Sequence, residues 1–218
     1  MTAVLDSPAL RERVILTARA LNSLNLNRGK AGNVSARVDG GFVITPSGMA
    51  YDALCADEIA MISDAGNVQG RSAPSSEWQM HQAIYAARTD FAAIVHAHSP
   101  FATALACHDR GIPPFHYMVA LAGGNDIRCA RYATFGTAEL AAYTVEALVE
   151  RRACLMSHHG LVAAGATLER ALELAVDVEA LAEIYCHALA MGEPSLLSED
   201  EMARVRASYR AYGQARPF

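Results

Sequence analysis

The chain has 218 residues, 52% of them hydrophobic, which fits one domain able to bury a sizeable core. A formal net charge of -5 with no basic run excludes general polyanion binding, which relies on clustered Lys and Arg, so no nucleic-acid partner is expected. Met1 to Arg13 has no apolar core and no run of 18 apolar residues occurs, so no targeting segment, no membrane span and a cytoplasmic location are expected.

Leu10, Val14, Ile15, Ala18 and Leu21 recur at helical spacing, which predicts an amphipathic helix from about Ser7 to Leu24 with Ser7 as cap. Gly32 to Val38 and Phe42 to Thr45 read as a hairpin turning at Asp39-Gly40, and Ile59 to Ser63 pairs with a segment near Val68. Ser75 or Ser76 caps a helix reaching Arg88, with Glu77 in its first turn. Ala92 to His98 is an apolar, partly β-branched strand, and Ser99-Pro100 starts a helix to about His108. Phe115 to Leu121 and Ile127 to Tyr132 are read as strands, followed by a helix from Thr137 to about Glu150. Ala153 to Ser157 and Leu161 to Ala164 are strands broken by His158-His159-Gly160, Leu168 to Met191 is a long helix, and Ser198 caps a last helix toward Tyr212. Helices alternate with hairpin-like strands without a G-x-G-x-x-G, so a largely antiparallel sheet covered by helices is expected.

Chemistry concentrates on the strand ending His96-Ala97-His98. Side chains at i and i+2 share a face of a strand, so two imidazoles stand side by side and need one or two partners to close a metal site. Glu77 is one candidate, as ligand, proton shuttle or both, against the plainer role of complementing its helix dipole. His158 and His159 face opposite ways if extended, so only one ligates, and the tight turn at Gly160 favours His159. Gly32-Asn33, Ser47-Gly48 and Ser75-Ser76 each place small polar residues beside free backbone N–H groups able to cradle a phosphate. Tyr117 and Tyr212 are the remaining useful phenols; His81, His108, His116 and His187 read as structural or surface residues. The five cysteines form no C-x-x-C pair, and Lys30 is the only lysine, so an imine route would have Lys30 or nothing.

Taken in order, Gly32-Asn33-Val34-Ser35, Thr45-Pro46-Ser47-Gly48, Pro74-Ser75-Ser76-Glu77, His96-Ala97-His98 and His158-His159-Gly160-Leu161 resemble the class II aldolase/adducin family over about residues 8 to 213. His116-Tyr117-Met118, Ala122-Gly123-Gly124-Asn125 and Tyr132-Ala133-Thr134-Phe135-Gly136-Thr137 extend the resemblance toward its L-fuculose 1-phosphate branch. The resemblance implies a three-layer α/β/α sandwich and a cyclic homotetramer with active sites between subunits. It implies Zn²⁺ on Glu77, His96, His98 and His159, with Glu77 also the acid/base. It further implies a phosphate held by Asn33, Ser47, Gly48, Ser75 and Ser76, Tyr117 acting from a neighbouring subunit, and Phe135 and Tyr212 at the aldehyde end. Lys30 and Ser47 depart from the branch, which has a small hydroxyl residue and a threonine there. The implied reaction is cleavage of a ketose 1-phosphate into dihydroxyacetone phosphate and an aldehyde. L-fuculose, 5-deoxyribulose and 5-methylthioribulose 1-phosphates compete as substrates. Pentulose-phosphate 4-epimerisation, sugar-acid-phosphate decarboxylation and a non-catalytic adducin-like binding module are the alternatives.

Overall fold

The computed structural model describes residues 4–212, with side chains described as far as residue 209. Helix α1 (Pro8–Ser23) is capped by Ser7, whose hydroxyl accepts from the Leu10 N–H at 3.3 Å. The hairpin β1 (Asn33–Val38) and β2 (Gly41–Ile44) turns through Gly40 at φ +73°, and β3 (Ala60–Ser63) and β4 (Val68–Gln69) continue the meander. Helix α2 (Trp78–Ala87), β5 (Ala93–Ala97) and α3 (Pro100–Ala106) follow. Then come a 3₁₀ segment (Tyr117–Ala122), β6 (Cys129–Ala130), α4 (Ala138–Ala147), β7 (Ala153–Met156) and β8 (Gly160–Gly165). The chain closes with α5 (Leu168–Met191) and α6 (Glu199–Tyr212).

The eight strands make one sheet in the order β4-β3-β2-β1-β5-β8-β7-β6, antiparallel except for β6 beside β7. Strict alternation sends side chains to two cores. Val34, Ala36, Val95, Ala97, Leu155 and Leu161 pack with α1, α3 and α5. Phe42, Ile44, Ile62, Ile94, Met156 and Val162 pack with α2 and α4. The result is the expected three-layer α/β/α sandwich, with helices on both faces of a mainly antiparallel sheet.

Three local expectations are corrected. The run from Phe115 to Leu121 is not a strand. It winds into the 3₁₀ segment, because His116 accepts the Met118 N–H on its own ring nitrogen and Gly123 ends the turn at φ +103°. Of the strand expected from Ile127 to Tyr132 only Cys129–Ala130 pairs regularly, beyond a single bridge between Ile127 and Ile112. The serine caps also differ. Glu77, not Ser75 or Ser76, holds the N-cap position of α2, and its side chain makes no capping bond. Ser99 caps α3 in position only. Its hydroxyl donates to Glu179 of α5, which itself accepts the N–H groups of Phe101 and Ala102 at 2.8 and 2.9 Å.

Candidate active site

The register decides what meets at the end of β5. Asn33 of β1 pairs with His96 across the sheet, so both side chains lie on the α2/α4 face, with His98 two residues further on. Helix α2 begins over that point, and its uncapped Glu77 carboxylate turns down toward the histidines. The fourth member comes from the β7–β8 turn. His158 is held at φ +53° and the His159 N–H bonds Met156 O at 3.0 Å, so the pair is not extended and His159 alone turns inward. Two glycines permit the crowding behind these rings. A Cβ on Gly32 would fall 2.4 Å from the His96 carbonyl oxygen, and one on Gly160 would fall 2.3 Å from that of Ala97.

One ligand atom from each of Glu77, His96, His98 and His159 lies within 4.8 Å of every other. His96 Nε2 stands 3.1 Å from Glu77 Oε2 and 2.9 Å from His98 Nε2, and His159 Nε2 stands 3.2 Å from Glu77 Oε1. His96 Nδ1–H donates to Leu161 O at 2.9 Å, which turns Nε2 toward the cluster, where the uncharged ring offers a lone pair to a metal. Burial works against charge on Glu77, yet His96 and His159 outweigh it and hold its pKa well below the usual carboxylate range. Burial likewise opposes charge on His96, and Glu77 and the Leu161 carbonyl raise its pKa in spite of it. His98 is pushed down to about 3 by burial, then by His96 and His159.

The donor set fits a divalent metal. Glu77 Oε1 is buried and completes no hydrogen bond, although His159 Nε2 is near, and such an orphaned acceptor among convergent imidazoles is what a cation satisfies. Beside the cluster opens a cleft of about 390 Å³. Ser47 N–H bonds Ala73 O and Ser75 N–H bonds Thr45 O, both at 3.0 Å, so two loops join into a single wall carrying Ser47, Gly48, Ser75 and Ser76. Lys30 and Asn33 line the same cleft, as does the exposed Phe135. Tyr117 does not. It is 48% exposed on the 3₁₀ segment and stacks on Tyr209 of α6, ring centroids 6.4 Å apart. Tyr212 ends α6, and its side chain lies outside the described residues.

Further side chains stand at the site. Tyr132 and His158 stand on the cleft rim, their rings edge to face at 5.9 Å. His81, read from sequence as a structural or surface residue, is fully buried. Its Nε2 meets Asn33 Oδ1 at 2.5 Å, while Asn33 Nδ2 donates to Glu77 Oε2 at 3.0 Å. Burial first, then His96, pushes the His81 pKa down to about 3 against the opposing pull of Glu77. The i, i+4 spacing from Glu77 was the signal available for it.

The fold and the Glu/His₃ cluster define a metal-site protein of the α/β/α class, and comparison with known proteins gives that class its family. The model for the class II aldolase and adducin N-terminal domain matches residues 12–186, and the chain belongs to this family. A 5-methylthioribulose-1-phosphate/5-deoxyribulose-1-phosphate aldolase of Rhodospirillum rubrum is 51% identical over 205 residues, covering 94% of this chain and 93% of the relative. An L-fuculose phosphate aldolase of Escherichia coli K12 is 45% identical, covering 94% and 95%. Among solved structures, an L-fuculose 1-phosphate aldolase superposes with a TM-score of 0.91 at 38% identity, covering 94% of this chain and 97% of the other.

Proposed function

We propose that this chain is a metal-dependent aldolase that cleaves a deoxyketose 1-phosphate into dihydroxyacetone phosphate and a short aldehyde. The observation that carries the reading is the junction of two sites in one cleft: a buried carboxylate among three imidazoles, and a wall of small residues with serine hydroxyls suited to a phosphate. Zn²⁺ is the metal assigned to Glu77, His96, His98 and His159, and when bound it supplies Lewis-acid polarisation of the substrate carbonyl. Ser47, Gly48, Ser75 and Ser76 hold the phosphate, and Asn33 adds the amide hydrogen not given to Glu77. In the direction of synthesis, Glu77 takes a proton from the dihydroxyacetone phosphate carbon and Tyr117 gives one to the aldehyde oxygen. Because Tyr117 lies away from its own cleft, it serves the cleft of a neighbouring copy, which is the role a homotetramer gives it. Phe135 and Tyr212 bound the aldehyde end, where an apolar wall suits a methyl or thioether tail. The substrates named for the relatives, 5-methylthioribulose, 5-deoxyribulose and L-fuculose phosphates, all fit this description.

The test is carbon–carbon bond formation. The metal-loaded protein is incubated with dihydroxyacetone phosphate and, separately, lactaldehyde, acetaldehyde, glycolaldehyde and methylthioacetaldehyde. Product with one aldehyde at a much higher kcat/KM is expected and names the substrate. No product with any of them, alongside epimerised pentulose phosphate or carbon dioxide released from a sugar acid, overturns the aldolase reading.

A further inference from the structure

Behind Glu77 runs a line of buried polar side chains that a metal site does not require. Residues Glu77, His81 and Tyr85 follow one another at i, i+4 and i+8 from the N-cap of α2 toward its C-terminal end, and Asn33, Ser35 and Arg37 follow at i, i+2 and i+4 along β1. Four residues of helix rise about 6.0 Å and two of strand about 6.6 Å, so the two rows stay in step over the whole line. Asn33 bridges Glu77 and His81; Ser35 Oγ bridges His81 Nδ1 at 2.7 Å and Tyr85 Oη at 2.8 Å. Arg37 closes the far end, with its guanidinium carbon 4.5 Å from the centre of the Tyr85 ring.

The direction of every bond in this line follows from one end. An ionised carboxylate only accepts, so the Asn33 amide must turn its NH₂ to Glu77 Oε2 and its oxygen to His81. That oxygen only accepts, so His81 carries its proton on Nε2. A neutral ring protonated there accepts on Nδ1, so the Ser35 hydroxyl donates to it and accepts in turn from Tyr85. Protonating Oε2 would demand that Asn33 flip and that His81, Ser35 and Tyr85 all reverse. Oε1 stands outside the chain, 3.2 Å from His159 Nε2 in the cluster.

We infer that this one-way chain positions the Glu77 carboxylate: it fixes Oε2 as an acceptor and so leaves Oε1 turned toward the histidine cluster. Asn33, His81 and Ser35 are then positioning residues that orient the carboxylate without touching the reacting carbon. The inference rests on Glu77 as the proton carrier, and its two tests fail separately from that reading.

The first test needs no turnover. In the metal-free protein with ¹⁵N-labelled histidine, the His81 ring, assigned by its loss in His81→Gln, is expected at neutral pH as the uncharged Nε2–H tautomer. An Nδ1–H tautomer or a charged ring overturns the chain. The second uses the metal-loaded protein and exchange of the dihydroxyacetone phosphate proton with solvent. His81→Leu is expected to lower the exchange kcat about 10- to 100-fold, as loss of partners one shell out from a metal site commonly does, with metal content and dihydroxyacetone phosphate affinity unchanged. His81→Gln, whose side-chain amide can still donate to Asn33, should recover part of that loss, and Ser35→Ala should lose less than His81→Leu. Wild-type exchange rates in folded His81→Leu overturn the inference, as does a loss that merely tracks metal content. If His81→Leu does not fold, Ser35→Ala decides by the same two criteria. Absence of exchange in the unmutated protein defeats the aldolase reading instead, and the tautomer measurement still judges the chain.

Discussion

On the face covered by α1, α3 and α5, the inward residues of the two central strands β1 and β5 are Val34, Ala36, Val38, Ala93, Val95 and Ala97, all apolar. On the face covered by α2 and α4, the same two strands present Asn33, Ser35 and Arg37 beside Ile94 and His96. Side-chain alternation builds both faces, so the difference is in what each is for. A wholly apolar face gains stability from every residue that it buries. A face with buried polar groups gains only where each is bonded, and there the helix and strand rows are aligned so that nearly all are. Glu77 Oε1 is the exception, and it points into the cluster where the chemistry is proposed.

Substitutions on the polar face should have the largest effects. His96→Ala combined with His98→Ala removes two of three imidazoles and is expected to abolish bound metal and aldol activity. Retention of stoichiometric metal by elemental analysis would place the site elsewhere. Glu77→Gln should leave the fold and most phosphate affinity in place while reducing proton exchange by about 10²- to 10⁴-fold, the usual worth of a general base; near-normal exchange excludes Glu77 as that base. The apolar face should answer differently. Leu181→Ala, in the core beneath α5, is expected to cost about 2–5 kcal/mol in a denaturant melt while the folded fraction keeps its kcat.

The smallest effect is a pH dependence of stability set by His81. His81 has its folded pKa lowered to about 3, chiefly by burial, whereas an unfolded chain takes up that proton near the ordinary value of about 6.5. The unfolded state therefore binds more protons between these values. The contribution of neutral His81 to stability is complete above 6.5 and is lost as pH falls from there toward 3. Urea melts of the metal-free protein should show this slope, and His81→Gln should flatten it. An unchanged slope would mean that other groups carry the acid sensitivity.

Much of this was legible in the sequence where one local signal had no competitor. Helix α5 runs over the expected residues, Leu168–Met191, because its apolar stripe is long and Thr167 caps it with a bond from the Arg170 N–H at 3.2 Å. The His-x-His pair was readable because strand geometry alone puts both rings on one side. Short apolar runs were not, since Tyr117 to Ala122 suits a strand or a tight helix equally, and what settles it is the His116 ring and the Gly123 turn. The polar chain was invisible for another reason. Its meaning lies in the register between α2 and β1, and nothing local to Asn33 shows that its amide also faces Glu77.

The scarcity of lysine has a practical side. Lys30 is exposed and lines the cleft that holds the serine wall, and it is the only lysine side chain in 218 residues. An amine-directed fluorophore or isotope tag thus has one side chain to find, beside whatever anion the cleft accepts. Among its side chains, the protein offers a single addressable reporter position at the place where occupancy is to be read.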